Sequence, residues 1–335
     1  MTFLDDVGEL RLKIRTLLED AVKRNLTEGI LLSGGLDTSI LAFVASKFKS
    51  LKAFTVAFRR GESPDLGYAR MIAETLRLNH QVYSFDEEEL YSVLPTVVKV
   101  TGSFDPMEIR NSVAIYIGLK CARDSGITTV MTGDGADELF AGYSFLFGLN
   151  KEKLDLELRK LWSIMEFSSV KLAEALGIQV KLPYLDPEFK SFAMAMPPDY
   201  KVRVEKGKVY GKWILRKAFE EDLPSSVVWR DKTPIEYGCG TTVLPKLFEE
   251  RIPDEALLEK RRRYLESDEV TLRDKEQLFY YEIYRKVVGV PHPTGKPGKI
   301  CPYCNSTVPE KATYCRICGA YPISIDPGRN FRRPF

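Results

Sequence analysis

Apolar residues recur at Leu10, Ile14, Leu17, Leu18 and Ala21, and steps of three and four put them on one face of an opening helix. The period then changes. The short apolar run Gly29–Ser33 reads as a buried strand, and 37–46, rich in Leu, Ile, Ala and Val, as the helix after it. Lys52–Phe58 predicts a second strand, Pro64–Leu78 a helix with proline near its start, and His80–Phe85 a third strand. Helices over 86–100 and 108–124 lead to a fourth strand, Thr128–Thr132. Strands alternating with helices predict an α/β fold, a parallel sheet with helices on both faces.

From about 150 to 285 the pattern is mostly helical, broken by Pro183, Pro197, Pro198, Pro224 and Pro234. Val290–Gly298 holds three prolines and two glycines, which suits a stiff, extended connection. The expected organisation is therefore a body over 1–285, a linker over 286–299 and a small terminal module over 300–335, with few contacts across the linker.

The chain has 335 residues, 44% of them hydrophobic, enough to bury a substantial core. No apolar run approaches the ~20 residues that span a bilayer, and the first residues lack the basic and apolar regions of an export signal. A cytoplasmic protein without a membrane partner is expected. The net charge of +2 is unevenly spread, because residues 285–335 carry nine Lys or Arg against Glu310 and Asp326. A basic tail on an acidic body suits docking to an anionic RNA or protein surface, but also plain solubility.

That tail also carries Cys301-Pro-Tyr-Cys304 and Cys315-Arg-Ile-Cys318. Two such pairs ten residues apart can fold as facing knuckles that complete the tetrahedral four-sulfur shell favoured by Zn²⁺. Disulfides are the alternative, disfavoured in a reducing compartment. The module reads as a zinc ribbon that depends on its metal to fold. Cys121, on an apolar helical stretch, reads as core; Cys239, between two glycines just after Lys232, reads as lying in a flexible loop within reach of a site.

Ser33-Gly-Gly-Leu-Asp-Thr-Ser39 joins the first strand to its helix. Gly34 and Gly35 let backbone N–H groups approach an anion, Ser33, Thr38 and Ser39 add hydroxyls, and the helix start adds its dipole. No lysine follows the glycines as in the triphosphate loop, so the cradle suits pyrophosphate. Asp37 beside bound phosphates calls for Mg²⁺ between them. A second loop, Thr132-Gly-Asp-Gly-Ala-Asp-Glu-Leu-Phe-Ala-Gly-Tyr143, follows the fourth strand and should face the first across the crevice at the strand ends. Its Asp134, Asp137 and Glu138 are candidates for a shared Mg²⁺ or a general base; capping the next helix is the alternative.

The two loops together resemble the synthetase domain of glutamine-dependent asparagine synthetases, within the adenylating PP-loop ATP pyrophosphatases. Ser63-Pro-Asp65, Lys181–Asp186, Gly211–Phe219 and Leu223–Lys232 extend the likeness in order over about residues 1–285. The resemblance implies an ATP-dependent, AMP-forming carbon–nitrogen ligase: a small acid attacks the α-phosphate of ATP, and ammonia or an amine displaces AMP from the acyl-adenylate. It implies that Ser33, Gly34, Gly35, Asp37, Thr38, Ser39, Gly133, Asp137 and Glu138 bind nucleotide and that Asp37 and Asp137 hold Mg²⁺. Lys232, Asp134 and Arg110 would act in catalysis. The family usually has glutamate at Asp134, and Met107-Glu-Ile before Arg110 departs from its threonine-containing sequence. Such synthetases begin with a glutaminase domain whose nucleophile is the cysteine after Met1, where this chain has Thr2. Nitrogen is then expected free, from an amine substrate or from a separate glutaminase subunit; assembly as a homodimer stays open. The alternative reading is a PP-loop enzyme that adenylates a tRNA base for sulfur or amine transfer, favoured by the basic ribbon and the run Lys260–Arg263.

Overall fold

The structure is a computed structural model and describes residues 7–323. Helix α1 (Val7–Arg24) precedes β1 (Gly29–Leu31), α2 (Leu36–Ser46), β2 (Lys52–Phe58), α3 (Asp65–Thr75) and β3 (Asn79–Phe85). Then come α4 (Glu87–Thr101), α5 (Pro106–Asp124), β4 (Thr129–Met131), α6 (Ala136–Leu139), α7 (Lys151–Ser163), α8 (Ser168–Leu176) and β5 (Gln179–Lys181). The strands form one sheet in the order β3-β2-β1-β4-β5, every neighbouring pair parallel. Parallel connections need crossovers, which α2, α3, α5 and their neighbours supply.

The four expected strands and the helices between them are present. The fifth strand, β5, is not predicted by the pattern, because Gln179-Val180-Lys181 holds a single apolar residue and none of the three is fully buried. The second half contains α9 (Pro187–Ala195), the hairpin β6 (Arg203–Glu205)–β7 (Lys208–Tyr210), α10 (Trp213–Phe219), α11 (Ser225–Val228) and α12 (Ile235–Gly238). It continues with α13 (Leu244–Arg251), α14 (Asp254–Asp268) and α15 (Lys275–Val287), so it is mostly helical as expected. The hairpin escaped the pattern because its Val204 and Val209 are exposed.

Local chemistry sets the helix ends. Asp86 accepts from the Glu89 N–H to cap α4, and Gly102 in the left-handed region ends it. Asp105 caps α5, whose first residue is Pro106. The sheet divides the core into two layers. One packs Ile14, Leu18, Ile40, Ile72, Phe189 and Ile214; the other packs Leu94, Val98, Ile117, Leu172, Leu278 and Tyr281.

The terminal module, built on the small antiparallel hairpin β8 (Lys299–Ile300)–β9 (Thr307–Val308), belongs to the second layer. This overturns the expectation of few contacts across the linker. The Phe104 N–H donates to the Ile317 carbonyl at 2.7 Å, Ser103 Oγ to the Arg316 carbonyl at 2.8 Å, and the Thr271 N–H to the Tyr303 carbonyl at 2.8 Å. Gln277 Nε2 donates to the Cys318 carbonyl at 2.6 Å, and the Tyr314 hydroxyl to the buried Asp105 carboxylate. Beneath these bonds Phe104 packs edge-on against Tyr281 and Tyr284, at 5.0 and 5.1 Å between ring centres. A proline-rich connector describes the path of the chain and says nothing about where its far end lands.

Deleting residues from 291 onward is therefore expected to destabilise the body by roughly 3–6 kcal/mol, at ~1.5–3 kcal/mol for each large side chain uncovered. The urea midpoint measures this, and a truncated chain unfolding at the full-length midpoint would show that the docking carries no weight.

Candidate functional site

β1 is flanked on one side by β2 and β3 and on the other by β4 and β5, so the direction in which successive strands are added reverses between β1 and β4. The loops leaving those two strands open at the same crevice. They touch: a Cβ on Gly133 would lie 3.1 Å from Asp37 Cβ and 3.2 Å from Thr38 Cγ2.

In the first loop Gly34 adopts φ +72°, and a side chain there would strike the backbone of Tyr68 and Ala69 at the start of α3. The residue type is dictated by conformation and by crowding. Ser33 Oγ and Thr38 Oγ1 lie 3.0 Å apart, and the Gly35 N–H donates to Ser33 Oγ at 3.2 Å. No side chain caps the start of α2. Ser39 Oγ is buried without a hydrogen-bond partner among the described residues, and so is Asp37 Oδ1. Unsatisfied buried oxygens in a glycine loop at a helix start are a place for an ion and an anion.

Asp37 and Asp137 converge on a residue that sequence reasoning did not assign. Lys212 Nζ lies 2.5 Å from Asp37 Oδ2 and 2.7 Å from Asp137 Oδ1, with 5% of its side chain exposed. The backbone of Lys212 is left-handed, held by donation from its N–H to the Phe140 carbonyl at 2.8 Å. Lys232 pairs with the other oxygen of Asp137, and its ammonium lies 5.3 Å from the centre of the Tyr143 ring. Gly142 leaves room for this centre, since a Cβ there would be 1.8 Å from Asp137 Oδ1. Burial alone would push the Asp137 carboxyl up, but Lys212 and Lys232 outweigh it and hold it below the ordinary carboxylate range. Burial alone would likewise lower Lys212, and Asp137 and Asp37 hold it above its usual value.

The other acidic candidates are committed elsewhere. Asp134 Oδ2 accepts from Thr132 Oγ1 at 2.8 Å and Ser169 Oγ at 2.5 Å, tying the loop to the start of α8, and burial pushes its carboxyl up. Glu138 accepts from the Tyr143 hydroxyl at 2.5 Å, and burial, then Asp137, raise its carboxyl. Arg110 is ion-paired with Glu236 at 2.9 Å and Glu276 at 3.6 Å. Asp186 pairs with Arg24 of α1 at 2.6 Å and caps α9. Cys239 is buried beside Thr241 Oγ1 at 3.5 Å and its thiol is raised by burial, which overturns the picture of a flexible, approachable cysteine. The Lys260–Arg263 run is not a free basic stripe, because Lys260 pairs with Glu282 at 2.7 Å and Arg261 donates to the Arg273 carbonyl.

Arg230 is the second residue that sequence reasoning passed over. It donates to the Gly34 carbonyl at 3.2 Å and Asp65 at 2.6 Å and stacks 3.9 Å from the centre of the Tyr68 ring, so it fastens the Lys232 segment to the glycine loop. Both residues lie inside segments that carry the family resemblance, Gly211–Phe219 and Leu223–Lys232. Nothing local distinguishes Lys212 from Lys217, since only chain reversal at the hairpin carries one to the crevice.

In the terminal module the four cysteine sulfurs are buried and lie within 4.8 Å of one another, with Cys301–Cys318 at 3.8 Å and Cys304–Cys315 at 3.7 Å. Those separations are far longer than an S–S bond of about 2.05 Å. They match the edge of about 3.8 Å expected for thiolates 2.3 Å from a tetrahedral metal.

A doubly wound parallel sheet with a glycine–hydroxyl loop and paired carboxylates at its switch point defines the class of the domain as α/β. Among known proteins, a family model described as asparagine synthase matches residues 13–168 and 155–295. The chain belongs to the asparagine synthase family, whose members are ATP-dependent carbon–nitrogen ligases. It is 31% identical over 304 residues to a probable glutamine-hydrolysing asparagine synthetase of Dictyostelium discoideum, covering 82% of this chain and 52% of that protein. It is 30% identical over 306 residues to asparagine synthetase B of Escherichia coli K12, covering 83% and 54%. The chain thus spans about half the length of these relatives. A solved NMN synthetase from Francisella tularensis matches at 14% identity with a TM-score of 0.38, over 85% of this chain and 94% of that one. Among the described residues no helix is long and apolar enough to cross a membrane.

Lys212→Met leaves Asp37 and Asp137 buried without the cation between them, a change expected to cost about 3–5 kcal/mol. The Asp137 contribution is present above the ordinary carboxylate pKa of about 4 and is lost as pH falls through its lower folded value. Urea titrations should accordingly show a large deficit near neutral pH that narrows in acid, with partial recovery on adding Mg²⁺. A variant matching wild type near neutral pH would contradict the charged centre.

Proposed function

We propose that this protein is an AMP-forming ligase that adenylates a carboxylate and passes the acyl group to ammonia or an amine. The observation that carries the reading is the convergence of Asp37, Asp137, Lys212 and Lys232 beside the glycine loop. Ser33, Gly34, Gly35, Thr38 and Ser39 bind the β- and γ-phosphates, the part released as pyrophosphate. Asp37 and Asp137 fit Mg²⁺, which when bound would neutralise phosphate charge; Asp37 Oδ1 is buried and without a hydrogen bond. The acid's oxygen attacks the α-phosphorus, the bond from that phosphorus to the bridging oxygen breaks, and the charge gathering on the leaving pyrophosphate meets Lys232 and Lys212. Such preorganised cations stabilise a transition state more than they would in water. The nitrogen nucleophile then attacks the acyl carbon and AMP leaves.

Relatives named as glutamine-hydrolysing suggest ammonia as the nitrogen, reaching this site free or from a separate glutaminase subunit. The docking of the ribbon against α5 and α15 favours a small-molecule acid over the RNA reading. It turns the Tyr303, Ile317 and Cys318 carbonyls and the Tyr314 hydroxyl of the ribbon toward the body.

The test is ATP–pyrophosphate exchange across a panel of amino acids and across tRNA, with AMP quantified. Exchange and AMP with a free acid are expected; ADP and orthophosphate as sole products would overturn the reading, and activity confined to tRNA would replace it with base adenylation.

For the ribbon we infer a tetrathiolate zinc site in a cytoplasmic protein. One Zn²⁺ per chain should copurify, and Cys315→Ser should lose it and lower the thermal midpoint about as far as deletion of the module, since binding and folding of such modules are one process. A metal-free variant melting with wild type would refute this.

A further inference from the structure

Lys232 lies in an irregular segment between α11 and α12, so something other than a helix or strand must aim it. One end of that segment is fastened by Arg230, through the Gly34 carbonyl and Asp65. At the other end, four residues beyond Lys232, Glu236 lies in the first turn of α12. Its carboxylate meets Arg110 of α5 at 2.9 Å, and its N–H donates to the side chain of the adjacent Asn111 at 3.0 Å. The same guanidinium reaches Glu276 of α15 at 3.6 Å, and Glu276 accepts from the Tyr280 hydroxyl at 3.0 Å. The side chains of Arg110, Glu236 and Glu276 are 12%, 9% and 4% exposed, so water screens the triad weakly. Next along α15, Gln277 bonds to the Cys318 carbonyl, which fixes that helix against the ribbon.

We propose that Arg110 is a positioning residue for Lys232: by clasping Glu236 to Glu276 it holds α12 down and keeps the Lys232 ammonium on Asp137. This assigns Arg110 a different part from the direct catalytic role that the resemblance implies. It rests on the ligase reading only for the role of Lys232, and the geometry it claims can be read without activity. With both carboxylates already paired to it, the guanidinium is spent on structure. A charge clasp has one advantage here over apolar packing, because it fixes a four-residue helix that is too short to bury a face of its own.

The experiment compares wild type, Arg110→Gln and Glu236→Gln by amine-directed labelling with mass spectrometry, and by exchange kinetics with and without Lys232→Met. In both variants labelling of Lys232 is expected to rise several-fold while that of the exposed Lys13 stays constant. Exchange kcat should fall about 10- to 100-fold, as for a catalytic group misplaced by about 1 Å, with the KM for ATP within about twofold. In the Lys232→Met background neither substitution should slow exchange further, because both act through the same ammonium. Unchanged labelling of Lys232, or a full additional loss from Arg110→Gln in that background, would overturn the proposal; the latter would mean that Arg110 meets substrate itself. Should Arg110→Gln fail to fold with two unpaired acids, Glu236→Gln decides alone, since it keeps the side-chain shape and leaves Arg110 with Glu276. Absence of exchange in wild type would sink the ligase reading, while the labelling result would still uphold or overturn the positioning role.

Discussion

The charged centre of Asp37, Lys212, Asp137 and Lys232 is the constraint around which the crevice is arranged. Two carboxylates at the starts of the helices that follow neighbouring parallel strands repel each other, and burial multiplies that repulsion. The lysines make the pair tolerable. Much nearby detail follows from holding them there: Gly142 makes the space, Gly133 lets the two loops touch, and the Phe140 carbonyl fixes Lys212 in a left-handed conformation.

The lysines come from the helical second half, so the two halves of the chain complete one site. Arg230 and Arg110 play matching parts at the two ends of the Lys232 segment, each pinning irregular backbone to a firmer element by a buried ion pair. Buried pairs add little net stability because desolvation offsets their attraction, but they specify position well. That suits a segment whose task is to place one ammonium. The ribbon extends the scheme, since its carbonyls accept bonds from α15 and from Ser103 and Phe104 just before α5, and those two helices carry Glu276 and Arg110.

Periodicity was sufficient for the layered α/β body because strands buried on both faces and amphipathic crossover helices leave strong local patterns. It failed where elements hold too few buried apolar residues to leave one, as at β5 and the Val204–Val209 hairpin. Site reading followed the same division. The glycine loop, the acidic loop and the cysteine pairs are contiguous and keep their chemistry in sequence. Asp134 and Glu138 belong to the same acidic run as Asp137, yet their carboxylates turn to Ser169 and Tyr143.

The sequence by itself determined which chemical groups the chain can offer: a glycine–hydroxyl loop, an acidic loop and four thiols at metal spacing. Those depend on residue type and on separations of a few positions, which a linear pattern preserves. Only the tertiary structure decided which charges meet. Lys212 reaches Asp37 from 175 residues away, Arg110 is claimed by Glu236 and Glu276, and the ribbon lies against the body instead of beyond its linker. Electrostatic pairing and burial depend on distance in space, and at such separations along the chain that distance is set by the packing of the whole fold.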